Sequence, residues 1–167
     1  FFAFWFWARW HTVSWDGAIA SSSWPPADVH HNLMLVLFNT SLLVSSGILA
    51  HLAMHAHDHG SYKRTRTHLY FAIFFGALFL VVQIYEYLHI GFTWKSHPYG
   101  TAFFSITGLH GLHVVAGIIA LGIITFLHGR GYYDNGRRDS FQAVIWYWHF
   151  VDVVWVMLFL IVYLEVI

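Results

Sequence analysis

No cysteine occurs among the 167 residues. That absence excludes a disulfide framework, an iron–sulfur cluster, thiolate-bound copper and covalent attachment of a c-type haem. Charge is nearly as scarce: 10% of the residues are charged, against about 25% in soluble domains. Lys and Arg balance Asp and Glu at eight each, so no basic surface calls for nucleic acid. Neither a phosphate-binding loop nor an obvious nucleophile is present. What remains is 58% hydrophobic, the composition of an integral membrane protein.

The apolar residues form four runs, Leu33–Ala56, Leu69–Phe92, Thr101–Leu127 and Phe141–Ile167. Each reaches or exceeds the ~20 residues a helix needs to cross hydrocarbon. None alternates as a lipid-facing barrel strand would, so the spans are helices. Phe1–Trp7 is also apolar, has no charged leader, and reads as the end of an earlier span. The expected fold is therefore all-α: a polytopic transmembrane bundle of four complete spans plus the end of another, forming one domain over residues 1–167. Pro, Gly and charge mark the connections Trp10–Val29, His57–Thr67, Thr93–Gly100 and Gly129–Ser140.

Lys63, Arg64 and Arg66 lie in one connection and Arg130, Arg137 and Arg138 in another. The other two connections hold Arg9 and Lys95 alone. This asymmetry places the first pair in the cytoplasm and the C-terminus outside. Trp5, Trp7, Trp10, Trp15 and Trp24 then form an aromatic belt at the outer interface.

Residues three, four and seven apart share a helix face, and each span carries one polar stripe. The stripes gather Asn39 and Ser46; Gln83, Glu86 and His89; His110, His113 and Gly117; and Gln142, Ile145, His149 and Asp152. A carboxylate inside a membrane is costly, so such groups should turn inwards and pair. By depth, His110, His113, His149 and Asp152 fall near mid-membrane and Glu86 nearer the outer side. The expectation is an intramembrane cluster of Asp152 with the histidines, Glu86 beside or facing it. Packing, proton handling and metal ligation all remain open as its purpose. Small residues at four-residue spacing, Thr101 with Ser105, Thr107 with Gly111 and Ala116 with Ala120, predict close helix packing.

A second histidine group, His51, His55, His57, His59 and His68 with Asp58, lies at the cytoplasmic end. His51 and His55 have the i, i+4 spacing of helix-borne metal sites, and the group could equally buffer protons near neutral pH or only solvate the interface. Lys63, Arg64, Arg66 and His68 suit lipid phosphates of the inner leaflet.

At these residues the sequence resembles the subunit III family of the haem–copper oxidases. The matching strings are Trp24-Pro-Pro, Asn39-Thr-Ser, Gln83-Ile-Tyr-Glu-Tyr87, His97-Pro-Tyr-Gly-Thr-Ala-Phe-Phe104, Thr107-Gly-Leu-His-Gly-Leu-His-Val114 and Trp146-Tyr-Trp-His-Phe-Val-Asp-Val-Val-Trp155, in family order. The family begins with further helices before Phe1. The resemblance implies a subunit without catalytic residues, metal or haem of its own, the haem and copper being held by partner subunits. It implies bound phospholipids, contacts with the oxidase's catalytic subunit I and with subunit II, and support of proton uptake and turnover stability. Glu86 matches the family's membrane-embedded carboxylate; His149 and Asp152 match its last helix, and His110 and His113 the one before. His55, Arg64, His68 and Arg130 resemble lipid contacts, while His51, His57 and His59 are additions to the family pattern.

The resulting expectation is a non-redox accessory subunit of a proton-pumping aa3-type cytochrome c oxidase, which reduces oxygen to water in aerobic respiration, in a bacterial cytoplasmic membrane. Membership of a respiratory supercomplex is open. The family also includes quinol oxidases, though the Trp-Pro-Pro and Trp-Tyr-Trp-His strings lean towards the cytochrome c branch. Two other classes compete: a histidine-rich metalloenzyme holding iron at His51, His55, His57, His59 and His68, and a transporter relaying protons through Glu86. The transporter would need pseudo-symmetric halves or broken spans, and no internal repeat is present.

Overall fold

A computed structural model describes residues 3, 33–90, 98–133 and 138–163. Four helices run through them: α1 (Leu33–Asp58), α2 (Tyr62–His89), α3 (Pro98–Gly129) and α4 (Asp139–Leu158). A π-helical turn, Phe159–Tyr163, continues α4. All four are long and apolar enough to cross a membrane, as the apolar runs predict, and no strand occurs among the described residues. Apart from Ala3, the apolar end at Phe1–Trp7 lies outside the described residues, as do the tryptophan belt from Trp5 to Trp24, Lys95, His97 and Arg137.

Helix boundaries correct one expectation. His57–Thr67 is expected as a connection, yet only His59–Ser61 separates α1 from α2, and the basic Lys63, Arg64 and Arg66 sit within the first turns of α2. Lys and Arg are good helix formers, and backbone hydrogen bonding does not stop where hydrocarbon does. What ends α1 is Gly60, at φ 66°. Its N–H donates to the His57 carbonyl (3.0 Å) and that of Ser61 to Ala56 (2.9 Å), the paired bonds of a Schellman cap. Gly131 (φ 72°) closes α3 in the same way, with Tyr132 donating to Leu127 at 3.1 Å. Gly60→Ala places a Cβ in a left-handed conformation but meets no neighbour. It should lower stability by about 1 kcal/mol and nothing more, measured as the thermal midpoint of the detergent-solubilised protein.

Within a membrane, apolar burial does not drive helices together, so close packing and internal hydrogen bonds must do so. α1 and α2 pack along one another and bury small residues, Gly47, Ala50 and Ala53 on α1 and Ala72 and Gly76 on α2. Trp148 of α4 fills the centre. A Cβ on Gly76 would lie 2.9 Å from its ring and one on Gly117 2.5 Å, so glycine is required on both sides of the indole. The indole N–H donates to Ser46 Oγ (3.1 Å), which itself donates to the Ala72 carbonyl (2.7 Å), tying α4 through α1 to α2. The close approach at α3 thus uses Gly117; Gly111, in the expected small-residue pairs, has nothing near its Cβ position.

Candidate functional site

The polar stripes do not converge on one cluster; they form separate groups at different places in the bundle. The first surrounds Glu86, which is 6% exposed. Its Oε2 accepts from Gln83 Nε2 (3.1 Å) on the same helix and from Tyr163 OH (3.3 Å) beyond α4. Gln83 Oε1 in turn accepts from Asn39 Nδ2 of α1 (3.3 Å). All four side chains are buried, so α1, α2 and the end of α4 share one internal network. The π turn has a role here. A wider turn lags behind α-helical rotation, which carries Tyr163 round onto the face where Trp155 and Leu158 are already buried.

His110 forms a second place. It is 4% exposed and packs against the Trp155 ring (centroids 5.0 Å) and the edge of Phe79 (6.1 Å). Its Nε2 has no hydrogen-bond partner among the described residues. His113, one turn on, is exposed and folds its Nδ1 onto the Leu109 carbonyl (2.8 Å). The two histidines border a cavity of 200 Å³ between α3 and α4, otherwise lined by apolar side chains such as Phe150 and Leu158. His89, expected on the inward stripe of α2, is likewise exposed, with Nδ1 on the Tyr85 carbonyl (2.8 Å).

His149 and Asp152 do come together, Nδ1 to Oδ2 at 3.7 Å. They face α1, where a Cβ on Gly47 would overlap the Asp152 carboxyl. The His149 ring lies 6.0 Å from that of His51. Among the described residues no hydrogen bond or ion pair joins this pair to Glu86, His110 or His113. Gly47→Ala should push the Asp152 carboxyl off α1 and lower stability by about 1–3 kcal/mol, the cost of overpacking, read from thermal unfolding in detergent.

At the basic end the histidines also separate. His57 stacks on Phe141 (4.7 Å), His55 on His59 (4.2 Å), and Tyr62 on His128 (4.3 Å), with Tyr62 OH donating to the His128 carbonyl. Arg138 bridges to Asp58 at 2.6 Å across the two turns. No group of three or more His, Asp or Glu among the described residues is close enough to hold a metal ion. Of the residues resembling lipid contacts, His55 and Arg64 are exposed, Arg130 is exposed over the Phe126 ring (4.6 Å), and His68 is half-buried with Nδ1 unpartnered among the described residues. No hydrogen bond or ring contact joins these four.

A family model described as cytochrome c oxidase subunit III matches residues 1–166. The chain belongs to the cytochrome c oxidase subunit III family. Cytochrome c oxidase subunit 3 of Drosophila melanogaster is 34% identical to it over 165 residues. The same subunit from Bos taurus is 36% identical over 165 residues, and that from Artemia franciscana 37% over 163. In each case 98% of this chain is matched, and the chain spans 63% of the length of these curated relatives.

Two features of the subunit III network escaped the sequence reading. Tyr163 lies 77 residues after Glu86, and nothing in its local sequence marks the π turn that aims it inward. The Gly76–Trp148–Gly117 packing could have been sought as glycines at helical depth opposite a large aromatic, but the pairing of helices is needed to match them.

Proposed function

We propose that this chain is the non-redox accessory subunit of a proton-pumping aa3-type cytochrome c oxidase, the complex that reduces oxygen to water. It docks on catalytic subunit I and on subunit II, which hold the haem and copper. It keeps proton uptake fast and prolongs the enzyme's working life. The observation carrying this reading is the Glu86 network: a buried carboxylate accepting from Gln83 and Tyr163, and an inward-facing ionisable group within a membrane span is the kind that handles protons. The exposed Lys63, Arg64, Arg66 and Arg130 support phospholipid binding at the basic end, with His55 and His68 beside them. Their excess over Arg9 and Lys95 supports an orientation with this end in the cytoplasm of a bacterial cell and the C-terminus outside.

Co-purification tests the assignment. Affinity capture of the chain from detergent-solubilised membranes should bring down larger polypeptides and haem absorbance bands in fixed proportion. Recovery of the chain alone, or with stoichiometric iron bound to the chain itself, would contradict it.

A further inference from the structure

The groove between α1 and α4 contains titratable groups that the Glu86 network does not use. A cavity of 260 Å³ there is lined by His51, His55, Asp58, Arg138, Gln142 and His149, with Met54, Ile145 and Trp146 as apolar wall. At the basic end its rim is the Asp58–Arg138 ion pair. At its inner end His149 meets Asp152, whose Oδ1 is buried without a partner among the described residues. A water takes about 30 Å³ of liquid volume and needs polar partners, and this cavity supplies both room and partners for several. No titratable side chain of α2 or α3 lines it.

We propose that this groove is a water-filled proton store, in which His55, His51 and His149 exchange protons between the basic end and Asp152. The inference rests on the proposed role in proton supply. Imidazole suits the task because one ring nitrogen accepts a proton while the other releases its own, and histidine titrates near neutral pH. Each transfer breaks one N–H or O–H bond and forms another on the neighbouring lone pair, with no electron moved. At 3.7 Å, His149 and Asp152 need only a small side-chain shift for direct transfer, and the 6.0 Å between the His149 and His51 rings is a gap one water can bridge. His51 and His55 are one helical turn apart on α1 and border the same cavity. Gly47 leaves the space in which the Asp152 carboxyl sits.

The test uses the whole oxidase containing this chain. No cysteine occurs among these 167 residues, so an introduced thiol is the only one within them. His149→Cys should react with a charged, water-soluble methanethiosulfonate, read by mass spectrometry on this chain, as should the exposed control His59→Cys. His51→Gly should slow proton uptake during turnover severalfold, and added imidazole should restore it. The proposal is overturned if His149→Cys stays unlabelled while His59→Cys reacts. It is overturned equally if His51→Gly leaves uptake unchanged, or slows it without rescue by imidazole. Should removal of the entire chain leave uptake and enzyme lifetime unaltered, the accessory-subunit reading fails instead, and the labelling still decides whether the groove is wet.

Discussion

Trp148→Ala should be the most damaging single substitution in the described bundle. The indole is fully buried, has a glycine on each side, and donates the bond that joins α4 to Ser46. Gly76 and Gly117 have no side chains with which to fill the space left. Large-to-small changes of buried tryptophan cost about 3–5 kcal/mol in soluble proteins. In lipid the transfer part of that cost is smaller, but the lost dispersion contacts remain. The expected outcome is a thermal midpoint lowered by many degrees in detergent, with the chain lost from the purified complex. Trp148→Phe keeps most of the ring and loses chiefly the Ser46 bond, so about 1 kcal/mol is expected. If the two variants unfold alike, the hydrogen bond outweighs the packing.

Glu86→Gln should act in a different way. The amide is isosteric with the carboxyl and can still accept from Gln83 and Tyr163 through its oxygen, so folding and assembly stay near normal. What disappears is the ability to carry a proton. Oxygen reduction should therefore start at close to the normal rate, while proton uptake slows or the number of turnovers before inactivation falls. Glu86→Ala adds a cavity and removes the bond from the Tyr163 hydroxyl to Oε2, and should cost a further ~1–3 kcal/mol of stability. The measurement is the oxygen-consumption trace of the purified oxidase, followed from first turnover to loss of activity. Loss of haem from the Glu86→Gln enzyme would contradict the non-redox assignment.

The four spans could be read from hydropathy because lipid allows a long apolar chain few options other than helix. The inward faces of Asn39, Ser46, Gln83, Glu86 and His110 followed from the same cost argument, since unpaired polar groups among acyl chains are expensive. The polar stripes are wider than the packed faces, however. At 100° per residue, His113 lies about 60° round α3 from His110, and His89 the same from Glu86. The packed wedge between two helices is narrower than that, and both rings settle on a carbonyl one turn back along their own helix. Which groups meet across helices was not legible, because depth and spacing within one helix do not fix its rotation against another. Asp152 therefore meets Gly47 and His149, while Glu86 takes Tyr163 from a turn whose width no residue announced. The glycines ending α1 and α3 were legible in principle: Gly60 and Gly131 each follow a histidine-bearing last turn and supply the left-handed residue that a Schellman cap requires.

The account turns on this chain sustaining the oxidase without taking part in electron transfer. Oxidase purified with the chain, and the same preparation stripped of it, should be compared for haem content, initial oxygen consumption and turnovers before inactivation. Equal haem and comparable initial rates, with much earlier inactivation of the stripped enzyme, are expected. Haem lost with the chain, or an enzyme without it that is inactive from its first turnover, would show that the chain belongs to the redox machinery itself.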